Sequence, residues 1–321
     1  MTKPIHLTGL FSDEFRGKRL DAALAILFAE YSRTRLQQWI AEGCVKINQQ
    51  IIKDTRYKVA GDEQVEITAD LPGPSAWQAQ LLPVEVVYQD DAIIVINKPA
   101  GVVVHPAAGN FEGTLVNALL HHFPEVTHLP RAGIVHRLDK DTSGLLVIAR
   151  TLIAHTALVE QLQAREVKRE YEAIVNGVLR QGGTTTTHMG RHPVDRKRMA
   201  VVKTGKEAIT HYQILQRFPS HTHIKVQLET GRTHQIRVHM AHLGHPLVGD
   251  KTYGYRPRFP VGCPPELRDK LSHFPRQALH ARRLGLVHPI TKEEMEWEAP
   301  LPDDMVELLS VLSACSLDGT Q

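Results

Sequence analysis

Between residues 84 and 231 the sequence keeps breaking into short β-rich runs: "VEVVYQD", "AIIVINKP", "GVVVHP", "AGIV", "LLVIAR", "REYEAIVNGVL", "THYQILQRF" and "HIKVQLETG". Gly, Pro and Asp bound most of them, as expected where strands end in turns. Helical patterns interrupt at "GTLVNALLHHF" and at "TLIAHTALVEQLQARE", where Leu158 and Leu162 keep a four-residue spacing. Strands dominate without a regular strand–helix alternation. That order predicts an α+β fold, with a largely antiparallel mixed sheet and flanking helices, over a doubly wound parallel sheet. No internal repeat or low-complexity tract is present.

The first part of the chain has a different rhythm. Leu20, Leu24, Leu27 and Phe28 recur at helical spacing, and Ser32 is placed to cap a second helix ending near Gly43. "CVKINQQII" and "QVEIT" then alternate like strands, so residues 16–68 form a small unit of two helices and a sheet. "DLPGPSAWQAQLLP", residues 70–83, combines Pro, Gly and Ser as a linker does. At 321 residues two domains are expected: residues 1–75, with a linker to about 83, and residues 84–321. The order in the first domain, with "KRLDAALA", "SRTRLQQWI" and "VKINQQ", resembles the S4 RNA-binding domain. The resemblance implies RNA contacts from Arg19, Arg33 and Arg35 around the helices and from Lys46 and Asn48 on the strand that follows.

A net charge of +3 says little until its distribution is seen. Lys and Arg crowd residues 16–58 and the stretch "RHPVDRKR", whereas every charge after Lys292 is acidic. Basic patches on a near-neutral chain suit a polyanion held at defined faces, nucleic acid being the commonest; solvated faces are the plainer alternative. Cys44, Cys263 and Cys315 are isolated and form no CxxC, which argues against a disulfide framework or structural zinc. The N-terminus lacks a secretory pattern and no apolar run approaches a membrane span, so a cytoplasmic location is expected.

Chemistry concentrates in "AGIVHRLDKDTSGLLVIAR", where two apolar runs enclose His136, Arg137, Asp139, Lys140 and Asp141. Turn-forming residues after Asp139 place it on a loop between rigid elements, where functional groups gather. The D-x-D-T order also suggests a phosphatase nucleophile loop, but His136 and Arg137 interrupt the strand such a loop needs, and no second carboxylate pair follows. In "ETGRTHQIRVHMAHLGHPLVGD" the histidines 234, 239, 242 and 245 invite a zinc reading. Interleaved Arg232 and Arg237 and the lack of an HExxH base oppose it. GxGxxG, GxxxxGK[ST] and GxSxG are all absent, which removes most support for nucleotide hydrolysis and serine-hydrolase chemistry.

"HRLDKDTSG", with "INKPAGVVVHP", "KREYEAIV", "GRHPVDRKRMAV" and "TGRTHQIRVHMAHLGHPLVGD", resembles the RluA-type pseudouridine synthases over residues 15–310. The resemblance implies isomerisation of uridines to pseudouridine in large-subunit ribosomal RNA, free or in an assembling subunit, with no cofactor and no metal. It implies Asp139 as the essential carboxylate, Tyr171 as the aromatic stacked on the base, and Arg237 as the cation paired with Asp139. Arg137, Ile236, Arg232 and His234 would contact the substrate. Whether Asp139 attacks carbon or removes a proton stays open at this level. A non-catalytic RNA-binding assembly factor on the same fold is the alternative; it would have no chemical reason to keep Asp139, Tyr171 and Arg237 together.

Overall fold

Ile5, Leu7 and Phe11 alternate with His6, Thr8 and Leu10, and this period of two makes a strand where the sequence reading placed none. The computed structural model describes residues 4–28, 31, 33–70, 77–106, 110 and 112–317. It divides into two units, Met1–Ala76 and Trp77–Gln321.

The first unit runs β1 (Pro4–Phe11), α1 (Leu20–Leu27), α2 (Arg33–Glu42), β2 (Val45–Ile47), β3 (Gln50–Ile51) and β4 (Glu63–Asp70). Its sheet has the order β1-β4-β2-β3, antiparallel throughout. Leu20 and Leu24 of α1 and Leu36, Trp39 and Ile40 of α2 are buried with Val45, Ile47, Val65 and Ile67 of the strands. Strand β1 was hard to read because Leu10 is apolar yet 60% exposed, and because Gly9 takes an inward position. A Cβ on Gly9 would lie 2.7 Å from Leu27, so the helix packs against bare backbone there. The cap expected at Ser32 lies outside the described residues.

The second unit contains β5 (Val86–Gln89), β6 (Ile93–Lys98), α3 (Leu115–His122), β7 (Ser143–Ala149), α4 (Leu152–Gln163), β8 (Lys168–Asn176), β9 (Gly183–Arg191) and β10 (Met199–Val201). It continues with β11 (Lys206–Arg217), β12 (His221–Leu228), α5 (Gln235–His242), α6 (Pro265–His273), β13 (Leu279–Val287), β14 (Glu294–Glu298) and α7 (Asp303–Leu317). The strands form one sheet in the order β10-β9-β11-β12-β8-β13-β7-β6-β5, with β14 on β13. The β13–β7 pair is parallel, and the other pairings are antiparallel. The expected mixed, largely antiparallel sheet with helices is what forms.

Strands β6 and β7 are buried on both faces, which explains their unbroken apolar runs. Ile94, Ile96, Leu146 and Ile148 face one core with α3. Ile93, Val95, Leu145, Val147 and Ala149 face the other, with Ala154 and Leu158 of α4. Gly144 is needed where β7 meets β13: its φ is +113°, and a Cβ would lie 2.3 Å from the Ala281 carbonyl oxygen.

Three expectations change, the first at "AGIV": Pro130–Gly133 forms a 3-10 turn, followed by an isolated bridge from Ile134 to Ile148 in place of a strand. "GVVVHP" is not a strand; the Val103 and Val104 carbonyls accept the first N–H groups of α3, from Leu115 at 2.8 Å and Val116 at 3.2 Å. These helix-end donors have no partner within the helix, and this segment supplies one. Residues 77–82, read as linker, lie along the same helix: Asn117 donates to the Gln78 carbonyl at 2.7 Å, and the Gln80 N–H donates to the Asn117 carbonyl at 2.9 Å.

Candidate active site

Asp139 sits on the loop that enters β7, and the loop is held from beneath. Lys98, at the end of β6 and fully buried, donates its ammonium to the carbonyls of Pro99 at 2.8 Å, Val102 at 3.0 Å and Lys140 at 3.0 Å. Gln277 donates to Thr142 Oγ1 at 3.1 Å, and Arg276 to the Asp141 carbonyl at 3.2 Å. Burial pulls the Lys98 pKa down to about 8, against the raising charges of Asp141 and Asp139. "INKPAG" carries part of the family resemblance, but nothing local in it marks Lys98 as the post under the Asp139 loop.

The Asp139 carboxylate has a 14% exposed side chain and faces a cleft of about 890 Å³. Its Oδ2 accepts from Arg237 Nη1 at 3.0 Å. The resemblance paired these two residues, and the structure brings them together. The two-pronged contact of Arg237, however, goes elsewhere: Nε donates to Asp250 Oδ2 at 2.7 Å and Nη2 to Asp250 Oδ1 at 2.9 Å. Burial lowers the Arg237 pKa, but the hydrogen bonds and charge of Asp250, then the charge of Asp139, outweigh it and raise it. Asp250 is the partner of Arg237 that the sequence reading did not place at the site. It lies 13 positions beyond Arg237, at the far end of "TGRTHQIRVHMAHLGHPLVGD", and the turn after α5 aims it back.

His234 is left-handed at φ 57° and opens α5. Tyr253 Oη accepts the Met199 N–H at 3.0 Å and shares a hydrogen bond with His234 Nδ1, 2.7 Å away. His234 Nε2 lies 3.7 Å from Asp139 Oδ1, too far for a formed hydrogen bond. Burial holds the His234 pKa below its ordinary value, with Asp139 opposing. Asp139 therefore meets one fixed cation and one neutral imidazole, and Oδ1 remains free toward the cleft.

Tyr171 lies in β8 between Val226 of β12 and Ala281 of β13. Its ring is 6% exposed and belongs to the same core as Ile236 and Leu279, while all three line the cleft. Burial raises its pKa, so the hydroxyl is neutral at ordinary pH. Arg137 is exposed at the lip of the cleft. Arg232 also lines it, its Nε donating to the Glu207 carbonyl at 2.9 Å. All seven residues expected at the catalytic site thus border one cleft. The stretch that opened the chemical question divides its charges: His136 accepts the Val147 N–H at 3.2 Å, and Asp139 alone of the two acids reaches the cleft. The four histidines from 234 to 245 do not converge; His239 bonds Thr187 and Thr210, and His245 the Asn176 carbonyl.

In the first unit, Arg19 and Arg33 surround the fully buried Asp21 carboxylate at 3.0 Å each, with Gln37 at 2.6 Å. Their outer faces stay open, at 41% and 51% of the side chain, but part of their charge is already answered. Arg35 is half-buried and Lys46 exposed. Asn48 is a turn residue at φ 46°, and its side-chain oxygen accepts the Gln64 N–H at 2.9 Å. That side chain is committed to the hairpin.

The cleft thus brings together a carboxylate bonded to a buried guanidinium, a tyrosine and two further arginines at 137 and 232. Comparison with known proteins narrows this. The pattern of the RNA pseudouridylate synthase family matches residues 92–242, and that of the S4 domain matches residues 18–65. The chain is 52% identical to the ribosomal large subunit pseudouridine synthase D of Haemophilus influenzae, over 98% of this chain and 97% of that one. It is 55% identical to the Pasteurella multocida protein of the same name, over 93% and 92%. Human RNA pseudouridylate synthase domain containing 4 superposes with a TM-score of 0.56 at 27% identity, covering 71% of this chain and 93% of that one. The chain belongs to the RNA pseudouridylate synthase family.

Proposed function

We propose that this protein converts uridines of large-subunit ribosomal RNA to pseudouridine, with Asp139 as the reacting carboxylate. The names of its relatives support the substrate. The observation that carries the chemistry is the Asp139 carboxylate itself, with Oδ2 fixed by Arg237 at 3.0 Å and Oδ1 unengaged at the cleft. A target uridine taken out of its stack lies on Tyr171, whose π face replaces the lost neighbour. Ile236 closes the apolar side of the base, and Arg137 at the lip stands where the vacated position in the RNA would be.

The reaction breaks N1–C1′ and forms C5–C1′, while the hydrogen on C5 is lost and N1 gains one. Product and substrate have the same atoms and oxidation level, so the balance requires no redox group or co-substrate. What the site must supply is orientation and charge. A permanently charged Arg237 keeps Asp139 aimed, because its planar guanidinium fixes the direction of the carboxylate. Arg19, Arg33, Arg35 and Lys46 of the S4 unit contribute phosphate contacts, and Asn48 shapes the turn after Lys46. We place the reaction in the cytoplasm; Cys263 and Cys315 are free thiols, as a reducing compartment favours. No helix among the described residues is long and apolar enough to cross a membrane.

The test is direct. Full-length protein is incubated with an unmodified transcript of large-subunit ribosomal RNA, and pseudouridines are mapped by carbodiimide labelling and primer extension. Discrete new sites are expected, formed equally well in excess chelator. A transcript that remains unmodified, while a reference synthase modifies its own site in parallel, would refute the assignment.

A further inference from the structure

Arg169, Arg237 and Arg276 are each more than nine-tenths buried, at 9%, 7% and 7% exposure. Two of them have carboxylates. Arg237 holds Asp250 and Asp139, and Arg276 grips Asp304 through Nε at 2.6 Å and Nη2 at 2.7 Å. Arg169 has none among the described residues. Its one hydrogen bond runs from Nη2 to the Glu229 carbonyl at 3.2 Å, and its Nε is buried without a partner. A buried guanidinium lacking an anion is costly, and folds seldom keep one without a use.

The side chain borders the catalytic cleft. Along β8 it is two residues from Tyr171, hence on the same face and about 7 Å away. The acids bordering the cleft are Asp139 and Glu229, and both are engaged. Asp139 is bonded by Arg237, and Glu229 accepts from Arg165 at 3.0 Å and contacts His211 at 2.7 Å. Space is kept for the guanidinium: a Cβ on Gly231 would lie 2.6 Å from Nη1, so glycine at 231 leaves Arg169 its position. Burial lowers the Arg169 pKa from its ordinary value, as expected for a cation without an acid beside it.

We propose that Arg169 is the receptor for a backbone phosphate of the substrate RNA, next to the nucleotide that stacks on Tyr171. This rests on the RNA-isomerase reading and adds a subsite to it. A base carbonyl would satisfy an N–H but leave the charge unanswered, whereas a phosphodiester oxygen does both and forms the stronger, charge-assisted bond. Phosphate contacts fix register without reading sequence, so Arg169 sets where along the strand the uridine meets Asp139.

The experiment compares full-length wild type, Arg169→Met and Gly231→Ala for binding an unmodified large-subunit ribosomal RNA transcript, by filter retention across a KCl series. Arg169→Met is expected to weaken binding about tenfold at low salt and to make the slope of log affinity against log salt shallower by about 0.7, the share of one phosphate on a single strand. Gly231→Ala keeps the charge but displaces Nη1, and is expected to weaken binding several-fold even if Arg169→Met does not fold. An unchanged slope in folded Arg169→Met, or wild-type affinity in Gly231→Ala, overturns the phosphate assignment. Wild type that binds but forms no pseudouridine would instead overturn the isomerase reading, since the salt slope is read without turnover.

Discussion

At the level of single residues, the site is organised around Arg237 more than around Asp139. Its guanidinium is set by Asp250 with two bonds, and Asp139 receives the third. Two substitutions separate these roles. Arg237→Lys keeps the charge but cannot span both carboxylates, so the single-turnover rate should fall about a hundredfold or more while RNA affinity stays within a few-fold. Wild-type turnover in this variant would show that Arg237 does not orient Asp139. Asp250→Asn leaves the cation buried with half its compensation. Breaking such a pair costs about 3–5 kcal/mol, so denaturant unfolding should show a loss of that order alongside the loss of rate. A stability unchanged from wild type would mean that Arg237 is held by something other than Asp250.

At the level of elements, the post beneath the loop is the decisive part. Lys98 at the end of β6 joins the turn after it to the loop before β7 through three carbonyls. Replacing it with Met keeps the bulk but takes this donor from the Pro99 and Val102 carbonyls, each costing about 1–3 kcal/mol when buried, while the Lys140 carbonyl keeps the Gly101 N–H at 3.0 Å. We expect a lower melting temperature and at least a tenfold slower single-turnover rate; a Lys98→Met protein with wild-type rate would show that the loop needs no such support. This division marks what the sequence could disclose. The buried runs of β6 and β7, the α3 and α4 patterns and the loop position of Asp139 were legible because each depends on neighbours within a few residues. Lys98 under Lys140, Asp250 behind Arg237 and Gly231 beside Arg169 were not, because each pairing exists only once distant segments meet. The "GVVVHP" run misled for a related reason: its β-rich composition serves an irregular segment whose carbonyls are used by a helix. Strand β1 was hidden by Leu10 and Gly9, which blur its alternation.

At the level of the whole molecule, histidine burial ties stability to pH. Burial pulls His105, His221, His239 and His280 down to about 4 and His136 to about 3, from an ordinary 6.5. The folded protein keeps these rings neutral while the unfolded chain protonates them below 6.5. Their stabilising contribution is thus complete above about pH 6.5 and lost as pH falls toward 4. Unfolding free energy from denaturant titrations should decline steeply across that window, and a flat profile between pH 7 and 5 would contradict the assignment of buried neutral histidines. The account as a whole depends on one carboxylate in the cleft. Asp139→Asn preserves shape and removes the charge, so the decisive measurement is pseudouridine formation on unmodified large-subunit RNA by full-length wild type and Asp139→Asn side by side, with RNA affinity measured in the same buffer. The account predicts a loss on the order of a thousandfold or more in rate with affinity within a few-fold; an Asp139→Asn protein that forms pseudouridine near the wild-type rate would contradict it.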